Sequence, residues 1–456
     1  MKQREKFSSR LGFILISAGC AIGLGNVYRF PIITGAYGGA IFVLIYLAFL
    51  LLLGIPVMTA ELAVGRGSQR SIASSFDVLE KKGQKWHLMK ILGIGGNYIL
   101  MMCYTVITGF MINYFVRYLS GSIMNNASVI ELRDVFFNVV GSPSQTIMGA
   151  YAAIIIGLLV CSLGLQKGVE RVTKYMMIAL FALMIGLAVY AFTLPGVKRG
   201  LSFYLVPSVE NIKHAGIVKV ISAAMGQAFF TLSLGIGSIA IFGSYISKDR
   251  SLLGESLTIV GLDTFVAIMA GLIIFPSYFT YNTEMIEGEG GAMFLFTTLT
   301  SIFNNMPGGR IVGTLFFLFM IFAAMSTVIA VFENIMSFWL ELTNLKRWQI
   351  SLINIALMLV LVLPAAFSGN LLANVKVFGL TFDNLEDYFV SNIALPVGSL
   401  VYVLFCTKKF GWGWNNYYAE VNTGNGAKVP KWFRGYMSYV LPLIIIVVLV
   451  MSVLPK

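Results

Sequence analysis

The sequence predicts an all-α integral membrane protein. Of its 456 residues, 58% are hydrophobic and 11% are charged, whereas about 25% of residues are charged in an ordinary soluble domain. The mean hydropathy is +0.84. The chain also contains 35 Phe, 20 Tyr and 6 Trp residues, which excludes a disordered protein because disordered chains are poor in aromatic residues. This much apolar surface exceeds what one water-soluble core can bury, so a soluble enzyme is excluded.

Eleven apolar stretches are each long enough to cross the roughly 30 Å of hydrocarbon in a bilayer. Numbered 1 to 11 along the chain, the predicted spans cover residues 11–31, 37–64, 88–116, 146–164, 172–195, 217–245, 256–280, 311–340, 348–368, 374–406 and 435–454. Span 1 begins without a small-residue cleavage site, so it is not interpreted as a signal peptide.

The distribution of basic residues predicts the orientation of these spans. Most of the 32 Lys and Arg residues fall in the N-terminal tail and in alternate loops, which is the positive-inside bias of membrane proteins. We therefore expect a multi-pass protein of the plasma (inner) membrane with a cytoplasmic N-terminus and, after eleven spans, an external C-terminus. The net charge of +12 thus indicates membrane topology and not nucleic-acid binding.

Catalytic motifs and zinc-type metal motifs built from cysteine and histidine are not predicted. The four cysteines all fall inside predicted spans and form neither a disulfide framework nor a spaced metal motif. The two histidines, His87 and His214, lie far apart in the sequence. An enzymatic function is therefore not expected.

Spans 1 and 6 each have small and polar residues at their centre. Span 1 carries three glycines within residues 19–25, and span 6 reads Ser-Leu-Gly-Ile-Gly at residues 233–237. Such glycines can serve close helix packing, but interrupted spans at corresponding positions of two halves also mark the midplane site of a transporter. Unwound backbone offers carbonyls to a cation and amides to an anion. A zwitterion bound with a sodium ion fits such a site.

Several motifs resemble the neurotransmitter:sodium symporter family, and the similarity extends over essentially the whole chain. These motifs are Arg10-Leu11-Gly12, the run from Gly23 to Pro31, Gly38-Gly39-Ala40, the run from Glu61 to Arg66, and the run from Gln227 to Gly235. The chain resembles the bacterial eleven-span amino-acid transporters of that family more than its twelve-span animal members.

The resemblance implies an inverted repeat of five plus five helices with unwound first and sixth spans, followed by an eleventh helix. The expected divisions are a cytoplasmic tail at 1–10, a first repeat at 11–200, a second repeat at 201–410, and a cytoplasmic loop with the last helix at 411–456.

Two sodium sites follow from the resemblance. The first sodium ion is expected to bind Ala21, Asn26, Thr231 and Asp263. The second is expected to bind Gly19, Ile22, Ala323, Ser326 and Thr327. The hydroxyls of Ser326 and Thr327 can also hydrogen-bond to carbonyls of their own helix, and only the resemblance favours the sodium role.

Asp263 lies near the middle of span 7, where an acid without a partner costs at least about 3 kcal/mol. Relatives typically have Asn at this position, and chloride-dependent relatives have Ser one turn later, where this chain has Ala267. One carboxylate beside the sodium ion would replace a bound chloride. We therefore expect transport without chloride, and Asp263 is a candidate proton acceptor on the return step.

The substrate is expected to bring its own carboxylate, because Gly23 stands where monoamine transporters of the family have Asp. By resemblance, that carboxylate meets the first sodium ion, the Leu24 and Gly25 amides and the Tyr104 hydroxyl, although Tyr104 is equally compatible with an ordinary buried aromatic residue. The expected partners of the substrate amine are the carbonyls of Ala21, Phe230 and Thr231 and the hydroxyl of Ser233.

The predicted side-chain pocket is apolar and uncharged, which favours a neutral hydrophobic or aromatic amino acid. Its expected lining residues are Leu100, Phe230, Ile236, Thr327 and Val331. A proton-coupled amino-acid transporter or exchanger of the same fold is the alternative, and it would not need the first sodium site.

Two gates are also implied by the resemblance. Arg29 is expected to pair with Asp387 on the external side, with Glu386 as the alternative partner, because charges at membrane depth normally pair. The expected cytoplasmic gate residues are Arg4, Glu341 and Tyr245. Glu61 is expected to bind backbone amides of the unwound part of span 6. Span 5 lacks the proline of many relatives and has Ile178 in its place, which leaves its unwinding open.

Overall fold

A computed structural model describes residues 7–123, 129–208, 216–281 and 292–453. Across these residues the regular structure is helical, and β-type pairing is limited to two isolated bridges. The predicted all-α class is therefore confirmed. The division into repeats and the orientation of the termini stay predictions.

Nine helices in the described ranges are long and apolar enough to cross a membrane, and they correspond to spans 2–5 and 7–11. They are Ala40–Ser68, Trp86–Ser120, Pro143–Ser162, Leu165–Ala191, Leu252–Tyr281, Gly309–Leu342, Arg347–Ala366, Phe382–Thr407 and Phe433–Ser452.

Span 1 consists of two helices, Arg10–Ala21 and Gly25–Ala36, which meet at a bend of 50°. Its first helix is capped by Ser9, whose hydroxyl accepts a hydrogen bond from the Gly12 amide at 3.0 Å. The three residues between the two helices contain Gly23, and their backbone does not continue the first helix. The predicted break in span 1 is confirmed.

Span 6 is divided into Ile217–Thr231 and Ser238–Tyr245. Between these helices, Ser233, Gly235 and Gly237 have φ angles of 50°, 99° and 80°. Three left-handed residues in five end a right-handed helix, and two of them are glycines, which adopt this conformation without a Cβ clash. The predicted break in span 6 is confirmed as well.

The predicted start of span 10 at residue 374 is wrong, because the helix begins at Phe382. Val377 and Leu380 exchange backbone hydrogen bonds of 2.9 and 3.0 Å around a tight turn in which Phe378 and Gly379 have φ angles of 53° and 81°. The apolar composition of this turn resembles that of a membrane helix, although its backbone cannot form one.

Shorter helices in the connecting segments were not predicted, because a search for apolar stretches of membrane length does not detect them. They are Ser75–Leu79, Val129–Gly141, Val197–Leu205, Phe294–Asn304 and Trp414–Val421.

The second helix of span 6 is held against span 2 by close backbone packing. A Cβ atom built on Gly65 would lie 1.9 Å from the Ala240 carbonyl oxygen, so only glycine allows this approach. One residue later in span 2, the fully buried Arg66 side chain binds Glu420 at 2.6 Å and the Arg250 carbonyl at 2.6 Å. Span 2 is thereby fixed beside the break in span 6.

Candidate functional site

The break in span 6 is bound by the carboxylate of Glu61 on span 2. This fully buried carboxylate accepts hydrogen bonds from the amides of Gly235 at 2.9 Å, Ile239 at 3.1 Å and Ala240 at 3.3 Å. These amides lie at the start of the second helix, where the first N–H groups have no helical partner. The expected role of Glu61 as a brace is confirmed.

Polar side chains also bind the backbone at the break in span 1. The Leu24 amide donates to the Tyr104 hydroxyl at 2.9 Å, and the Gly25 carbonyl accepts from the Gln227 side chain at 2.7 Å. The sequence reasoning gave Gln227 no role, although it belongs to the family-like run in span 6. These bonds satisfy backbone groups for which the bilayer core offers no water.

The structure brings Asn26, Thr231 and Asp263 together. The Asn26 amide nitrogen lies 2.8 Å from the Asp263 carboxylate and 2.9 Å from its backbone carbonyl, and the Thr231 hydroxyl lies 3.3 Å from the same carboxylate. All three residues are buried, and Asp263 forms no ion pair with any described residue. Ala21 ends the first helix of span 1 at this break.

A buried carboxylate without a cationic side chain is costly unless a cation compensates it. The Asp263 carboxylate, the Thr231 hydroxyl and the Asn26 side-chain oxygen are hard oxygen ligands, which suit a hard cation. This donor set therefore fits a sodium ion.

A second group of oxygen atoms joins span 8 to the first helix of span 1. The Ser326 hydroxyl lies 3.2 Å from the Ile22 carbonyl and 2.8 Å from the Ala323 carbonyl. The Thr327 hydroxyl lies 3.2 Å from the Gly19 carbonyl. Ser326 thus bonds to its own helix and also reaches span 1, while Thr327 is directed at span 1. The five residues expected at the second sodium site therefore lie together.

A small enclosed cavity lies between the two breaks. Its lining residues are Cys20, Ala21, Gly23, Gly25, Leu100, Tyr104, Phe230, Ser233, Thr327, Val390 and Leu395. Gly23 is essential to its shape, because a Cβ atom there would lie 2.4 Å from both the Tyr104 and the Thr327 hydroxyl oxygens. A side chain at this position would collide with both hydroxyls.

Four of the predicted substrate-binding residues lie outside the lining of this cavity: Leu24, Thr231, Ile236 and Val331. The Ile236 side chain is fully buried and packs toward Gly96, because the left-handed residues on either side of it turn the chain away from the cavity. Leu24 instead borders the outer cavity.

Val390 and Leu395 of span 10 supply the wall that the sequence reasoning assigned to Ile236 and Val331. Val390 lies in the π-helical segment Phe389–Ala394 of that span. A π-helical turn shifts the positions that follow it relative to an α-helix, so α-helical spacing did not identify these two residues.

Phe230 separates the small cavity from an outer cavity of about 440 Å³ and borders both. The Arg29 guanidinium lies over the Phe230 ring, 4.2 Å from its centroid. Arg29 donates to the Ser391 hydroxyl at 3.2 Å, and Ser391 donates to Asp387 at 3.0 Å. Arg29 and Asp387 are therefore linked through Ser391 and not by a direct ion pair, Glu386 forms no ion pair with Arg29, and the gating role of these residues stays a prediction.

In the other predicted gate, Arg4 lies outside the described residues. Glu341 accepts hydrogen bonds from the Ser71 amide at 2.7 Å and the Ser71 and Ser74 hydroxyls at 2.9 Å. It thereby joins the end of span 8 to the loop after span 2.

Tyr245, at the end of span 6, binds span 8 at a different place. Its hydroxyl donates to Glu333 at 3.1 Å and lies 2.7 Å from the Ser337 hydroxyl, and Glu333 also pairs with Arg347. The sequence reasoning missed Glu333. Its signal is the same as that of Asp263, because an acidic residue inside a predicted span indicates a functional role.

The all-helical fold, with two interrupted spans around a buried oxygen-rich site, defines a multi-pass membrane transporter. A family model described as the sodium:neurotransmitter symporter family matches residues 4–129 and 125–455. The chain belongs to this family and is a sodium-dependent symporter. Its predicted family membership is therefore confirmed.

Similar proteins cover almost the whole chain. An uncharacterized sodium-dependent transporter of Bacillus subtilis, YhdH, is 31% identical over 97% of this chain and 96% of its own length. One from Haemophilus influenzae is 29% identical over 98% of both chains. The crystal structure of MhsT in complex with L-phenylalanine matches with a TM-score of 0.87 and 33% identity, over 99% of this chain and 100% of that chain.

Replacing Ser391 by Ala is expected to speed release of bound substrate to the outside. The substitution removes the hydroxyl that links Arg29 to Asp387, and the loss of one hydrogen bond of about 1 kcal/mol corresponds to a roughly fivefold faster dissociation. Dissociation of radiolabelled substrate from purified protein measures this rate. Asn384→Ala, which also borders the outer cavity but lies outside the link, serves as the control, and equal rates in both variants would contradict the assignment.

Proposed function

We propose that this symporter imports a neutral hydrophobic or aromatic amino acid across the plasma membrane by alternating access, coupled to two sodium ions and without chloride. The observation that carries the proposal is the meeting of Asp263 with Asn26 and Thr231 beside the small cavity. Cation ligands and a small cavity therefore occur together between the two helix breaks.

The walls of the cavity support the choice of substrate. Leu100, Phe230, Val390 and Leu395 are apolar, and none of the described residues that line the cavity is charged. Acidic and basic side chains would be left without a partner there, so a neutral apolar side chain binds best. The L-phenylalanine in the crystal structure of MhsT supports an aromatic or similarly large ligand.

The polar end of the cavity suits the carboxylate of an amino acid. Tyr104 accepts a hydrogen bond from the Leu24 amide and keeps its own proton for donation. Because that amide is already bound, the Tyr104 hydroxyl donates to the substrate carboxylate in place of the Leu24 amide. The first sodium ion binds the same carboxylate. Because Gly23 has no side chain, the Tyr104 and Thr327 hydroxyls both reach the backbone at the break in span 1, where the substrate carboxylate is proposed to bind.

Two sodium ions supply sufficient driving force. Moving two charges through 100 mV and a tenfold gradient releases about 7 kcal/mol, which concentrates a neutral zwitterion roughly 10⁵-fold. The first ion binds Asp263 and its neighbours, and the second binds between Thr327 and the Gly19 carbonyl.

The contacts at the two faces support alternating access. Phe230 and the Arg29–Ser391–Asp387 link close the external side. Tyr245 bound to Glu333 closes the cytoplasmic side, and inward opening requires that this contact breaks. Span 5 lacks the usual proline, but a π-helical turn at Leu165–Glu170 provides a local irregularity at its cytoplasmic end.

Uptake of a labelled apolar amino acid into proteoliposomes is expected to require a sodium gradient. Asp263→Ala should weaken the apparent affinities for sodium and for the amino acid together, each by roughly tenfold or more, because both ligands depend on this carboxylate. Asp249→Ala, which removes an exposed acid from a loop, is the control. Full uptake in sodium-free buffer with a proton gradient would instead identify the proton-coupled alternative.

Uptake is also expected to be unchanged when gluconate replaces chloride on both sides of the membrane. Asp263 supplies the fixed negative charge beside the first sodium ion, so no anion is needed there, and Ala267 offers no hydroxyl to bind one. Initial rates at saturating sodium measure the effect. A several-fold loss of rate in gluconate would refute chloride independence while leaving sodium coupling intact.

A further inference from the structure

Asn97 on span 3 joins three spans at the break in span 6. Its side-chain nitrogen donates to the Gly93 carbonyl at 2.6 Å and to the Ile236 carbonyl at 2.8 Å. Its side-chain oxygen accepts from the Ser238 hydroxyl and the Asn334 side chain, both at 3.1 Å. The residue is fully buried, and both donors and both acceptor positions of its amide are used.

Asn97 and Glu61 bind opposite kinds of backbone group at the break in span 6: Glu61 accepts from amides, and Asn97 donates to a carbonyl. Glu61 binds the amide N–H groups of Gly235, before the second helix of span 6, and of Ile239, in the first turn of that helix, whereas Asn97 binds the Ile236 carbonyl between them. A buried carbonyl in an unwound segment has no helical partner and must find another. The two side chains together fix both the donors and an acceptor of the unwound segment, residues 232–237.

This segment lines the substrate cavity through Ser233 and packs behind the cavity wall through Ile236. A Cβ atom on Gly96 would be 3.0 Å from the Ile236 side chain and 3.7 Å from Ala394, so Ile236 fills the space between spans 3 and 10. Two residues of the cavity wall are close to these contacts in the sequence. Leu100 lies about one turn after Gly96, and Leu395 directly follows Ala394. The unwound segment therefore packs against the stretches of spans 3 and 10 that supply Leu100 and Leu395 to the cavity wall.

We propose that Asn97 is a positioning residue that sets the size selectivity of the substrate cavity. By holding the Ile236 carbonyl, it keeps the unwound segment against spans 3 and 10 and limits the depth available to the substrate side chain. This inference rests on the proposed amino-acid transport and assigns selectivity to a residue that does not touch the substrate.

Asn97→Ser is the direct test. The serine hydroxyl can still bond to the Gly93 carbonyl one turn earlier, but it is too short to bind Ile236 as well. We expect the affinity for tryptophan relative to leucine, measured by competition binding at saturating sodium, to rise about fivefold, the effect of one lost hydrogen bond. A loss of folded protein lowers both signals equally and leaves this ratio unchanged.

Asn354→Ser is the matched control. Asn354 is also buried, donates to the Ile350 carbonyl one turn earlier at 2.8 Å, and binds Tyr98 next to Asn97, but these contacts lie away from the unwound segment. Its tryptophan-to-leucine ratio should equal that of the wild type.

Ser238→Ala provides a second, milder variant, because it removes one of the two groups that orient the Asn97 oxygen. We expect a shift of about twofold in the same direction. An unchanged ratio in this variant, or in Asn97→Ser where that variant binds, overturns the inference. A wild-type protein that binds neither amino acid in sodium refutes the proposed function itself, and the inference with it.

Discussion

The structure depends on how two helix breaks are satisfied in a region without water. At bilayer depth each free N–H or carbonyl must be bound inside the protein. Glu61 binds the free amides of span 6, Tyr104 binds the Leu24 amide, and Gln227 binds the Gly25 carbonyl. Side chains therefore occupy the free amides of the two breaks. The oxygen atoms near Gly19 and Asp263 are available to bind cations. The two breaks are thus stable in the bilayer and still offer oxygen atoms to ligands.

Asp263 gives this site its electrostatic character. It is fully buried, accepts hydrogen bonds from Asn26 and Thr231, and forms no ion pair with a residue in the described ranges. A negative charge in this position is stabilised by a cation, and a cation beside the cavity in turn attracts the carboxylate of the substrate. In the proposed mechanism, ion and substrate therefore stabilise one another at the same place, which is the physical requirement for symport.

The sequence predicts much of this arrangement but not its details. Composition and span length predict the membrane class, and the small residues of spans 1 and 6 predict both breaks, because these signals are local. Ser391 and Val390 were missed because a π-helical segment in span 10 changes which residues face the site. Glu333 was missed because its partner Tyr245 lies far away in the sequence. Contacts between distant segments depend on the packing of whole helices, which one-dimensional patterns do not contain.

The most direct test of the shared site is a reciprocal binding measurement on purified protein. The dissociation constant of the amino acid is measured over a range of sodium concentrations, and that of sodium with and without the amino acid. Each ligand is expected to tighten the binding of the other by the same factor, since coupling between two sites is reciprocal. A sodium affinity that does not depend on the amino acid would contradict a shared site, in which one carboxylate and two helix breaks bind both ligands.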